Sequence, residues 1–229
     1  MATDNDFPPG FFDRQDPTPD DRFYVPDRLV THIDQGAITA VGSLYDELGV
    51  DGEVLDLMSS WVSHFTVAPR RLVVVGMNDH ELAANPQASA RVVRDLNADP
   101  TLPFEDESFD DATCCVSVDY LIRPVEVFAE VARVLRPGGR FVVTFSNRCF
   151  PTKVIRGWAM GDLAGCGEIV RRYFHLSGGF AEPIAQLRTP LDGFGDPLWG
   201  VWATKEPNAA VTGAAAADQG DDASGGPAR

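Results

Sequence analysis

Residues 102–145 read LPFEDESFDDATCCVSVDYLIRPVEVFAEVARVLRPGGRFVVTF, and the succession of patterns inside this stretch decides the fold class. FDDATCCVSV (109–118) has the length and composition of a buried strand. Between Pro124 and Leu135, the residues Val127, Phe128, Val131, Val134 and Leu135 recur at helical spacing. Pro124 falls in the first turn of that helix, where its missing N–H is harmless. Arg136 to Gly139 then read as a turn, with Gly138 and Gly139 supplying backbone freedom, before FVVTF (141–145) begins the next strand. A strand, a helix and a strand in this order make one right-handed crossover unit of a parallel sheet.

The same alternation extends outward. EVLDL (53–57) is a short buried strand, and RLVVVGM (71–77) is a second whose unbroken apolar run suits a sheet covered on both faces. HELAAN (80–85) has helical character and ARVVRDL (90–96) reads as a third strand. Val25 to Gly49 reads as one helix broken near Gly36, or two, with Leu29, Val30, Ile33, Ile38, Val41, Leu44, Tyr45 and Leu48 on the apolar face. After residue 145 come a helix-rich stretch (151–174), a loop with Gly178 and Gly179, and strands near 181–188 and 198–204. Only the turn-rich TPLDGFGDP (189–197) joins the last two, which allows an antiparallel hairpin at the sheet edge. The expectation is a doubly wound α/β domain over residues 22–206 with an amino-terminal helical segment. Residues 1–21, acidic and Pro-rich, and the Ala/Gly/Asp-rich residues 207–229 are expected to be disordered.

Composition narrows the partners. The formal net charge of −15 repels phosphate backbones and disfavours a nucleic-acid substrate. No apolar run reaches the roughly 20 residues that span a bilayer, and the acidic start is unlike a secretory leader, so a cytoplasmic protein is expected. Cys114, Cys115, Cys149 and Cys166 form no C-x-x-C pair, and the four histidines lack zinc spacing, which argues against a disulfide or a structural metal.

LPFEDESFDDATCC (102–115), followed by RVLRPGGRFVVTF (133–145) and then LSGGFAEP (176–183), resembles the class I S-adenosylmethionine-dependent methyltransferases of the small-molecule type. The resemblance covers roughly residues 50–204 and implies a seven-stranded, mostly parallel Rossmann-like sheet. It also implies S-adenosylmethionine as cofactor, lying across the carboxyl ends of strands one to four. Asp56 matches the family's acidic residue at the end of strand one, but the G-x-G-x-G turn is replaced: Met58, Ser60 and Val62 stand where the glycines would be, with Ser59 between. Asn78 occupies the place of the acidic residue that grips the ribose hydroxyls, and Asp79 and Glu81 lie close enough to compensate. Asp95, Leu96 and Asn97 fall at the adenine-binding element, and Ser117, at the end of strand four, joins the cofactor set.

Other residues carry paired readings. Asp56 is either a ligand group or a cap for the following helix, and Asn78 is either a ligand group or a turn residue. His32 and Asp34 are either a base pair for deprotonating an acceptor or a solvated helix face. His64 is either within reach of the cofactor or stacked on Trp61. Tyr24, Asn147 and Arg148 are candidates for holding the substrate, with Arg148 equally suited to a surface ion pair. Trp158, Trp199 and Trp202 read as packing residues. The function expected is methyl transfer to a small-molecule acceptor; the alternative is a cofactor-binding protein without catalysis. A nucleotide-dependent oxidoreductase on a similar sheet is disfavoured because no G-x-G-x-x-G follows a strand.

Overall fold

The computed structural model describes residues 6–190 and 195–207. The tail expected to be disordered lies, from residue 208 on, outside the described residues. Seven strands form one sheet: β1 (Glu53–Leu57), β2 (Arg71–Gly76), β3 (Ala90–Val93), β4 (Phe109–Cys115), β5 (Leu135–Ser146), β6 (Ile184–Leu187) and β7 (Leu198–Thr204). Their spatial order is β3-β2-β1-β4-β5-β7-β6. The first five pair in parallel, and β7 runs antiparallel between β5 and β6. The expected edge hairpin is therefore present, and its second strand is the inner one.

Helices cover both faces, as the apolar runs require. On one face α4 (Pro124–Val134) and α6 (Leu163–Ser177) bury Phe128, Val131, Tyr173 and Phe174 against β4 and β5. On the other, α2 (Gln35–Leu48) and the short α3 (Asp79–Ala83) bury Val41, Leu44, Tyr45 and Leu82 against β1 and β2. Each such side chain contributes about 1.5–3 kcal/mol. Cys114 and Cys115, neighbours on β4, serve opposite faces: Cys114 lies in the first cluster and Cys115 packs on the second. Trp158 and Trp202 are buried and Trp199 packs on the first cluster, as packing residues do. The RPGG turn is absorbed into β5, where the register against β4 shifts between Phe109 and Asp111. Gly139 is required there, since a Cβ would overlap the Asp110 carbonyl oxygen. No helix among the described residues is long and apolar enough to cross a membrane.

Two expectations are corrected. Residues 6–21 are ordered: Phe7 is buried and Phe11 and Phe12 pack on the α4–α6 core, with the Phe7 ring 5.7 Å from that of Tyr173. Burying three rings outweighs the acidic, Pro-rich composition that suggested disorder. Phe11 and Asp13 also accept backbone bonds from Gly157 (2.8 Å) and Arg156 (2.7 Å) of α5 (Arg156–Ala159). The second correction concerns the helix expected from Val25. Apart from the single turn α1 (Asp20–Phe23), helix begins only at Gln35. Val25, Leu29 and Val30 are exposed rather than on an apolar face. Pro26 removes a donor, and the Tyr24 carbonyl bonds to the Asn78 side chain instead of to a helical N–H four residues on.

Candidate active site

The carboxyl ends of β1 to β5 surround a cavity of about 280 Å³, and residues 20–32 lie across it as a roof. Asp56 anchors its floor. In register with Thr113 on β4, it is buried and accepts three hydroxyl bonds: from Thr113 (2.8 Å), Ser59 (2.6 Å) and Ser63 (2.7 Å). Burial pushes its pKa up, and the three hydroxyls partly offset that. The cap reading does not describe it, because its partners are side-chain hydroxyls that shape the following loop rather than helix N–H groups. That loop begins with Met58 at φ 51°, a left-handed conformation that glycine adopts most readily and that a side chain occupies here. The Ser59 N–H bonds to the Val75 carbonyl at 2.8 Å, and Gly76 lets the loop pass, since a Cβ there would overlap the Ser59 carbonyl oxygen. The backbone N–H groups of Ser60, Trp61 and Val62 have no acceptor among the described residues.

Asn78 and Asn97 make long-range bonds the sequence did not indicate. The Asn78 Oδ1 caps α3 by accepting from His80 (3.0 Å) and Glu81 (3.1 Å), while its amide donates to the Tyr24 carbonyl (3.1 Å) and to Asp27 (2.9 Å). Asn97 donates to Asp20 (3.0 Å) and the Tyr120 carbonyl (2.9 Å) and accepts from Ile122 N–H (2.9 Å). Both line the cavity, but their amides tie the roof to the mouths of β2 and β3. Trp61 adds a third tie, its indole donating to the Val30 carbonyl at 3.1 Å. Asp95 is more open. Its Oδ1 accepts from the Asn97 and Ala98 N–H groups, and its Oδ2 has no partner among the described residues. Leu96 is buried beside it, and Ser117 donates to the Met58 carbonyl at 3.3 Å.

The histidine pair does not form. Asp34 caps α2, accepting from Ala37 N–H (2.9 Å), and exchanges backbone-to-carboxylate bonds with Asp196 (2.9 and 2.8 Å). It lies outside the cavity and is not available as a base, because the N-cap geometry claims its carboxylate. His32 does reach the cavity, 5.1 Å from the Phe150 ring in an edge contact. Partial burial, then the nearby Arg28, lower its pKa, which keeps the imidazole neutral near pH 7. His64 also lines the cavity, at φ 58°, and burial lowers its pKa as well. Tyr24 lines the roof; burial, then the charges of Asp20 and Asp119, raise its pKa. Asn147 is outside the cavity and exposed. Arg148 lines the rim and makes the ion pair of its second reading, with Asp196 at 2.6 Å.

Arg28, Glu81 and Phe150 were missed or undervalued. Asn78-x-x-Glu81 has capping-box spacing. Glu81, however, is buried and turned to other partners: it accepts from the Arg28 N–H (2.7 Å) and the Ser60 hydroxyl (2.5 Å). Asp79, the other residue expected to compensate, is exposed and paired with Arg91 at 2.6 Å. Nothing in the local sequence marks Arg28 or Phe150, which meet across residues far apart in the chain.

Comparison with known proteins agrees with this architecture. Residues 52–143 match the family profile described as "Methyltransferase domain". The sterol 4-C-methyltransferase of Caenorhabditis elegans is 34% identical over 98 residues, 42% of this chain and 28% of that protein. A demethylmenaquinone methyltransferase of Mycobacterium sp. (strain KMS) is 47% identical over 55 residues, 22% of this chain and 24% of that one. The chain thus matches about a quarter of the length of these curated relatives. The 1,6-didemethyltoxoflavin-N1-methyltransferase of Burkholderia thailandensis, solved with bound 1,6-didemethyltoxoflavin and S-adenosylhomocysteine, superposes with TM-score 0.54 at 17% identity, covering 76% of this chain and 80% of that one. The sheet order and this superposition give the chain the fold of the class I methyltransferases, and residues 52–143 within it are the segment that matches the methyltransferase-domain profile.

Proposed function

We propose that this chain transfers the methyl group of S-adenosylmethionine to a small-molecule acceptor. The observation that carries the reading is the mouth of β1 to β3. There a left-handed turn at Met58, three unpartnered N–H groups at Ser60 to Val62 and an open Asp95 oxygen line one cavity. These groups fit a nucleoside bearing an amino-acid end. The loop N–H groups would hold its polar end, Asp95 would accept a hydrogen bond from the base or sugar, and Leu96 would pack on the base.

When bound, the cofactor supplies a methyl carbon already activated by a sulfonium, so the protein's work is alignment and exclusion of water. The roof of residues 20–32 provides the exclusion. His32, neutral near pH 7 and at the cavity rim, would take the proton from an acceptor O–H or N–H. The matches to a sterol and to demethylmenaquinone methyltransferases support a small-molecule acceptor.

Calorimetry with S-adenosylmethionine and S-adenosylhomocysteine tests the binding half, and ligand at about 100 times its dissociation constant should raise unfolding stability by about 2.7 kcal/mol. Absence of heat with both would end the proposal. Transfer of radiolabelled methyl into a metabolite extract tests the chemistry. A second reading, binding without transfer, is favoured by one observation: the Asn78 amide, expected to meet the ribose, is occupied by the roof. Binding without any labelled product would select it.

A further inference from the structure

Asp56, Glu81, Arg94 and Asp95 line the cavity at the mouths of β1 to β3, and Asp20 lines it from the roof. Arg28 and His32 reach from the roof to Phe150, which with Arg148 follows β5, and the Arg28 N–H bonds to Glu81 at 2.7 Å. Three arginines line the cavity. Arg94 pairs with Asp99, and Arg148 pairs with Asp196 at 2.6 Å. Arg28 has no ion pair among the described residues, in a chain with 34 acidic residues and 19 basic ones. Its guanidinium is half-buried and donates only to the Pro26 and Phe23 carbonyls, at 3.2 and 2.7 Å.

Its setting is aromatic. The Arg28 Cζ lies 4.5 Å from the Phe23 ring centroid, 5.6 Å from Tyr24 and 5.4 Å from Phe150. Phe150 is the hub, with His32 at 5.1 Å and Tyr120 at 5.7 Å. Two carbonyl bonds leave further guanidinium N–H groups for a ligand, and partial desolvation strengthens any charge-assisted bond they make. An ammonium-bearing acceptor would be repelled at this position. A planar acid would gain both the ion pair and ring stacking.

We propose that the cavity takes, beside Phe150, a planar acceptor with an anionic group, a carboxylate or phenolate, paired with Arg28. The inference rests on the methyl-transfer reading, since it assigns the mouths of β1 to β3 to the nucleoside. The test measures binding of three ring-matched probes, benzoate, benzyl alcohol and benzylamine, to the full chain, with and without S-adenosylhomocysteine. Benzoate should bind at least about tenfold tighter than either of the others. Arg28→Gln should remove that preference while leaving S-adenosylhomocysteine affinity within about threefold, and Arg28→Lys should retain most of it. Thermal unfolding of both variants checks the fold, and if Arg28→Gln unfolds, Arg28→Lys and the wild-type probe ranking decide.

Equal binding of the amine or the alcohol would overturn the proposal. So would a loss of S-adenosylhomocysteine affinity in Arg28→Gln, which would place Arg28 on the nucleotide. Failure of S-adenosylhomocysteine to bind the wild-type chain would instead sink the methyl-transfer reading, and the anion preference with it.

Discussion

Gly49 and Gly138 make left-handed turns at the amino-terminal ends of β1 and β5, with φ 64° and 85°. At the carboxyl ends the same backbone region is held by Met58, His64 and Val116, at φ 51°, 58° and 43°, and all three line the cavity. A non-glycine residue in this region costs about 1–2 kcal/mol. On one edge of the sheet the chain avoids that cost with glycine; on the other it accepts it and retains side chains facing the site. Glu107, at φ 55° in the turn before β4, is the one left-handed side chain among the described residues away from the cavity. Strain in this fold is therefore concentrated where ligand contact would use it.

The comparison can be broken most strongly at Asp56. Asp56→Ala leaves three buried or half-buried hydroxyls without their acceptor and should cost about 3 kcal/mol or more in urea unfolding, with loss of nucleotide binding. A variant that unfolds like wild type would show that the Met58 loop holds itself. Gly76→Ala pushes a methyl into the Ser59 carbonyl and should cost about 2–3 kcal/mol, chiefly by displacing the loop. Gly49→Ala meets nothing within 4 Å, so its loss of about 1 kcal/mol isolates the backbone term. Met58→Gly should change stability by less than about 1 kcal/mol, because relieved strain opposes added chain entropy. Its calorimetric affinity for S-adenosylhomocysteine reports what the side chain contributes.

A smaller effect follows from protonation. Burial raises the Asp56 pKa above its unfolded value, so its proton is held more tightly in the folded state. Stability is then greatest below the unfolded pKa, near 3.8, and falls as pH rises toward the folded value. Asp56→Asn should flatten that slope in thermal scans taken upward from about pH 4.

The strands were legible because a parallel sheet covered on both faces needs unbroken apolar runs, and VVVG or VVTF can do little else. The α4 helix was legible through its spacing and Pro124. The roof was not. Its apolar residues fall at helical intervals, yet Val25 and Val30 face solvent, and the segment is shaped by side chains of Asn78, Glu81, Asn97 and Trp61. Sequence periodicity reports burial against a flat partner; it is silent about a strand of chain suspended by polar bonds from loops 30 to 80 positions away. The cavity divides the same way. That Asp56, Met58 and Asp95 lie at its mouth was readable from their place after a strand, whereas the bonds by which Asn78 and Asn97 hold the roof were not.

Lys153, fully buried just past β5, reaches back to bond the Asp16 and Thr18 carbonyls across 137 and 135 positions and pairs with Asp16 (3.0 Å) and Asp20 (3.1 Å). During translation, residues 11–20 therefore lack these partners until the segment after β5 has emerged. A ribosome-stalled fragment ending before residue 153 would carry the first five strands with the amino-terminal edge of the roof still unanchored.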